Sequence, residues 1–69
     1  MTALELQVAI QQLGPEMAAA MGYVAELERV SRREFEAIFD AAEYHDGKGG
    51  YAHMMQIRWA AFKAARGLK

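Results

Sequence analysis

Five side chains around the middle of the chain are of the kinds that ligate metals: Asp40, Glu43, His45, Asp46 and His53. Compact zinc sites leave two to five residues between paired ligands. Here seven residues lie between the two histidines across a glycine-rich stretch, so the pattern reads as polar loop and no metal is expected. Gly47-Lys48-Gly49-Gly50 lies before a helix-like run, where backbone amides suit an anion. A phosphate loop needs the longer G-x-x-x-x-G-K-[ST] frame, and neither Ser nor Thr follows Lys48. Ser31 and Thr2 are the only aliphatic hydroxyls, and cysteine is absent. Both read as helix caps, with no His–Asp pair beside them in sequence. The expectation is a protein that is not an enzyme and has no cofactor.

Charge is the next candidate for chemistry. Residues 1–45 carry eight acidic side chains against Arg29, Arg32 and Arg33, a balance of −5. Residues 46–69 carry Lys48, Arg58, Lys63, Arg66 and Lys69 against Asp46, a balance of +4, and the two sum to the net −1. A basic arm can serve nucleic acid, but the same asymmetry suits a basic segment folded back on an acidic one, within a chain or between two. Ala18 to Val24 resembles the centre of a helix-turn-helix, with alanine four positions before a turn glycine. That motif wants a buried apolar residue where this chain has Glu28, in the acidic half that phosphate would repel.

The last helix-like run, Tyr51 to Arg66, holds the sole Trp, adjacent methionines and several cations. Tyr51, Met55, Trp59 and Phe62 recur as one helical face and are expected to pack against Phe35, Ile38, Phe39 and Ala42 in a helical hairpin. Tyr, Trp, Met and Arg are enriched at interfaces. The residues expected to touch a partner are Met54, Arg58 and Arg66 at the margins, with Tyr51 and Trp59.

The elements that must position these residues are helical. Thr2-Ala3-Leu4-Glu5 fits a capping box. Gly14-Pro15 ends one helix and starts another. The apolar stripe passes through that junction in steps of three and four: Ala3, Leu6, Ile10, Leu13, Met17, Ala20, Val24, Leu27. A second helix is expected over 16–30. Ser31-Arg32-Arg33-Glu34 is a second possible capping box, whereas an unbroken helix would gain Glu28–Arg32 and Arg32–Glu36 pairs. Residues 16–45 therefore read as one helix or two. The glycines at 47, 49 and 50 make a reversal, and Gly67 is expected to cap the final helix.

Sixty-nine residues form one domain at most, residues 1–69 as a single all-helical unit. Such a chain buries only about 60% of its unfolded surface. Without disulfides or a metal, oligomerisation is the remaining support, and the 54% hydrophobic composition is ample for it. Leu6, Ile10, Leu13, Met17, Val24, Leu27, Phe35, Ile38, Phe39, Met55 and Phe62 are assigned to the core or a dimer contact. No apolar run approaches the ~20 residues of a membrane span, and the first residues lack a signal-peptide pattern. A cytoplasmic protein is expected.

Phe35-Glu36-Ala37, followed after a glycine-containing turn by Arg58 to Gly67, RWAAFKAARG, resembles a pattern in small bacteriophage proteins. Those have an F-E-x segment and end in an aromatic, alanine-rich helix. Phe62 stands where many of them have Trp. Length and helical character are also similar to the phage quorum-sensing anti-activators. That resemblance implies a homodimer in the host cytoplasm that inhibits a LuxR-type regulator or the type IV pilus assembly ATPase by direct binding.

The fold expected is all-α: a small bundle of three to four helices with a C-terminal helical hairpin, completed by dimerisation. The function expected is protein-binding inhibition of a bacterial host target. The alternatives are a small DNA-binding regulator and a phage structural or assembly component.

Overall fold

The computed structural model describes residues 1–39 and 50–68, and for residues 50–52 the helix alone. They form four helices: α1, Ala3–Leu13; α2, Pro15–Ala20; α3, Tyr23–Ile38; and α4, Gly50–Ala65. No strand occurs among the described residues, so the fold is the small all-α bundle expected. No described helix is long and apolar enough to cross a membrane. The reversal expected at 45–50, the candidate ligands Asp40, Glu43, His45 and Asp46, and the Tyr51 side chain lie outside the described residues.

α1 opens on the capping box expected of Thr2 and Glu5. The Glu5 amide donates to Thr2 Oγ1 at 3.2 Å, and the Thr2 amide donates to Glu5 Oε1 at 2.9 Å. The helix ends at Gly14, whose φ of 86° and ψ of 158° fall in a region open essentially only to glycine. Pro15 then occupies the first turn of α2, where its missing amide costs nothing. The junction divides two helices, as its sequence indicated.

The expected helix over 16–30 is corrected. α2 stops at Ala20, Met21 and Gly22 turn, and α3 runs unbroken from Tyr23 through Ser31 to Ile38. At the turn the Gly22 amide donates to the Ala19 carbonyl at 3.0 Å, and the Glu26 amide bonds back to Gly22. Ser31 is no cap, because its side chain is buried in mid-helix. The surface of α3 is laced by Glu26–Arg29 and by Arg32–Glu36, Nε to Oε1 2.9 Å. The second was among the pairs an unbroken helix was expected to gain; the first replaces Glu28–Arg32.

Two buried centres hold the helices together. Leu6 of α1 and Leu27 of α3 are sealed with Ala3 and Leu68, and Ile10, Tyr23, Val24 and Val30 pack around them. Phe35 and Ser31 of α3 are buried under α4. The pairing is antiparallel: Arg66 meets Ser31, Phe62 meets Phe35, and Arg58 meets Phe39. That is the C-terminal hairpin expected, with one correction. Ile38 is 61% exposed, because Ser31, Phe35 and Phe39 at steps of four form the face that meets α4 and Ile38 lies beside it.

The long apolar stripe is covered only at its ends. Ala3, Leu6 and Leu27 are buried, Ile10 and Val24 half-buried, and Leu13, Met17 and Ala20 exposed. The turns at Gly14 and Gly22 lay α1 against α3 and leave the middle of the stripe at the open end. Ala18, fully buried, is the face by which short α2 docks.

At the other end of the chain Gly67 has φ 76°. The Leu68 amide donates to the Lys63 carbonyl at 2.9 Å and the Gly67 amide to Ala64 at 3.1 Å. This is the two-bond Schellman closure. It turns the chain so that Leu68 reaches the α1–α3 core, a contact the sequence reading did not anticipate.

Candidate functional site

α4 carries most of the residues expected to meet a partner, and its cations share the inward face with its large apolar side chains. A surface helix ordinarily turns apolar side chains inward and charges outward. Here His53, Met54, Gln56, Ile57, Ala60, Ala61, Ala64 and Ala65 are exposed, while Arg58, Trp59, Phe62, Lys63 and Arg66 are half-buried against the bundle.

The inward charges rest on aromatic rings. Phe35, fully buried, has Phe39 at 4.8 Å, Trp59 at 5.3 Å and Phe62 at 5.7 Å between ring centroids. Cations rim this cluster. The Arg66 guanidinium carbon lies 4.6 Å from the Phe62 centroid and that of Arg58 lies 5.1 Å from Phe39. Arg32 of α3 lies 5.3 Å from Phe35 and 5.1 Å from Trp59, and Lys63 Nζ lies 5.5 Å from Trp59. These are cation–π distances. The ring faces are negative, so they accommodate the charges that α4 turns inward.

Arg66 also joins the two helices through its guanidinium nitrogens. Its Nη1 donates to Ser31 Oγ at 3.0 Å and its Nη2 pairs with the Glu34 carboxylate. The guanidinium fork thus spans one turn of α3 and stacks on Phe62 of its own helix. Planar geometry and several donors make arginine suited to this.

Of the residues expected to touch a partner, Met54 is exposed; Arg58, Trp59 and Arg66 are built into the α3–α4 contact. Among residues assigned to core or dimer, Leu6, Leu27 and Phe35 are buried, and Ile10, Val24, Phe39, Met55 and Phe62 are half-buried. Leu13 and Met17 are exposed within a single chain.

Sequence reasoning missed Ile57, which is 57% exposed one helical turn beyond Met54; that spacing is the signal that would have found it. It also missed Ser31 as an acceptor, and no local pattern announces a partner 35 positions away. Leu68 was legible in principle, since an apolar residue directly after a capping glycine often folds back.

A second surface lies where α1, α2 and α3 meet. Leu13, Pro15, Glu16, Met17 and Ala20 line an open hollow of about 630 Å³. A narrower groove of about 430 Å³ runs between Ile10, Pro15, Val24, Glu28 and Leu68. Comparison with protein-family models, curated proteins and solved structures finds no match.

Proposed function

We propose that this chain is a non-enzymatic interaction protein that pairs with a second copy and inhibits a bacterial protein by occupying its surface. The observation that supports the reading is the outer face of α4. Met54 and Ile57 lie exposed on it above paired alanines, and no ionised Lys, Arg, Asp or Glu interrupts it. Large apolar side chains exposed together on one helix face suit an association site. A neutral face is self-complementary in a two-fold dimer, and its alanines let two helices approach closely.

The resemblance to phage quorum-sensing anti-activators supplies the specific form of the proposal. The chain is then a phage host-takeover factor in the host cytoplasm, directed at a LuxR-type transcription factor or the type IV pilus assembly ATPase.

Sedimentation equilibrium at micromolar concentration tests the pairing: a dimer for the native chain and a monomer for Ile57→Glu support it, and a native monomer overturns it. Titration of the purified chain onto each purified target tests the inhibition. Absence of a stoichiometric complex with both removes those targets.

A further inference from the structure

The glutamates of the described helices divide into two groups. Glu5 closes the α1 cap, Glu26 pairs with Arg29, Glu34 with Arg66 and Glu36 with Arg32. Glu16 and Glu28 have no partner among the described residues. Both border the uncovered middle of the apolar stripe. Glu16 lines the hollow, Glu28 lines the groove, and Pro15 lines both, so the two depressions form one surface with a carboxylate on each.

Leu13 and Met17 of the hollow are 41% and 54% exposed, and Met21, 51% exposed, follows Met17 by one helical turn at the rim. Methionine side chains adapt to the shape of what they meet. The first 28 residues hold four glutamates and neither lysine nor arginine. Of the cations around Glu28, Arg66 is engaged by Ser31 and Glu34, Arg29 by Glu26, and Arg32 by Glu36.

We propose that the α1–α2–α3 corner is a docking site for a cationic amphipathic helix of a partner protein. Its apolar side chains would lie on Leu13, Met17 and Met21, and its Lys or Arg residues would reach Glu16 and Glu28. Charge complementarity selects this occupant. Two carboxylates with no ion pair among the described residues repel an anionic lipid surface and attract a basic segment. An amphipathic helix laid in a groove is the docking mode that pairs an apolar depression with flanking charges. In a second copy Arg58, Lys63 and Arg66 of α4 face inward onto their own bundle, while Arg29 and Arg33 of α3 are exposed. A second copy is therefore the competing occupant, which the dependence on protein concentration distinguishes. The proposal rests on the reading that the chain binds proteins, and adds a surface separate from the α4 face.

The test uses the full chain and a synthetic leucine–lysine peptide of helical spacing, with a leucine–glutamate counterpart and a scrambled leucine–lysine peptide as controls. Calorimetry and amide chemical shifts follow binding. The expected result is saturable, salt-sensitive binding of the leucine–lysine helix alone, with shifts around Met17, Met21, Glu16 and Glu28. Glu16→Gln/Glu28→Gln, with an unchanged circular dichroism spectrum, weakens it by about tenfold or more; Ile57→Glu leaves it unaltered. Equal binding of the acidic or scrambled peptide overturns the proposal. So do shifts confined to α4, or shifts at the corner that follow protein concentration without peptide, which would make the occupant a second copy. Because Ile57→Glu reports on pairing and the glutamate variant on the corner, failure of one reading is distinguishable from failure of the other.

Discussion

Arg66 and Ser31 are joined across the α3–α4 contact by a 3.0 Å hydrogen bond between residues 35 positions apart. It ties the last turn of α4 to the middle of α3, and Leu68 follows directly into the α1–α3 core. The same few residues therefore close both buried centres. Loss of the Arg66 anchor should be felt at each.

Arg66→Ala should lower stability by about 1–3 kcal/mol, because it leaves the buried Ser31 hydroxyl without its donor and removes the stacking on Phe62. The Glu34 pair contributes little of this, since the carboxylate is 43% exposed and solvent screens it. Arg66→Lys should recover less than half of the loss, as an ammonium cannot span Ser31 and Glu34 with a planar fork. Urea denaturation of both variants, with a Ser31→Ala/Arg66→Ala cycle, measures the coupling. A coupling near zero would place the bond outside the folded ensemble.

Phe35→Ala should be the more damaging of two aromatic truncations, at roughly 3–5 kcal/mol, since Phe35 is fully buried with three rings around it. Trp59→Ala should cost less, about 2–3 kcal/mol, because the indole is only half-buried. Arg58→Ala should leave the helical circular dichroism unchanged. Thermal melts rank the three, and Trp59→Ala more damaging than Phe35→Ala would contradict the placement of the cluster's centre.

Gly67→Ala should destabilise by about 1–2 kcal/mol, because alanine is strained at the positive φ of the α4 closure. Leu68→Ala should cost about 2 kcal/mol by unfilling the space between Leu6 and Leu27. The sites are adjacent and serve one contact, so their double variant should lose less than the sum. Additive losses in denaturant titrations would argue that Gly67 does not position Leu68.

The Glu5 carboxyl is held below the ordinary glutamate range, chiefly by the Thr2 backbone amide and then by the Thr2 hydroxyl. A depressed folded-state pKa means that this stabilisation is complete above the unfolded value and is lost as pH falls through the folded value. Acidification from neutrality through the carboxylate range should therefore loosen α1. Glu5→Gln keeps an acceptor at the cap but cannot titrate, and should flatten that part of the stability–pH curve. Melting temperatures of the native chain and Glu5→Gln between neutral and acidic pH check it; parallel curves would exclude the contribution.

What the sequence alone determined was local. The capping box at Thr2 and Glu5, the break at Gly14-Pro15 and the closure at Gly67 are each satisfied by hydrogen bonds within a few residues, so residue type and spacing suffice to read them. The helical class follows from the same short-range terms summed along the chain, and pairing α4 with α3 follows from apolar residues on both. Ser31 shows the limit. A serine before two arginines and a glutamate is chemically competent as a cap, and it is a mid-helix acceptor only because Arg66 arrives from the other arm of the hairpin.

Tertiary structure decided which side of each pattern meets solvent. Ala3, Leu6, Leu13, Met17 and Leu27 belong to one apolar stripe in sequence, but two turns cover its ends and leave its middle exposed. Periodicity reports that side chains share a face; coverage depends on what the chain later lays over them. α4 makes the same point in reverse. Its cations lie inward over rings of both arms of the hairpin, Arg58 over Phe39 and Arg66 over Phe62 of α4 itself, leaving Met54 and Ile57 on the outside, and only the packing of one helix on the other sets that orientation.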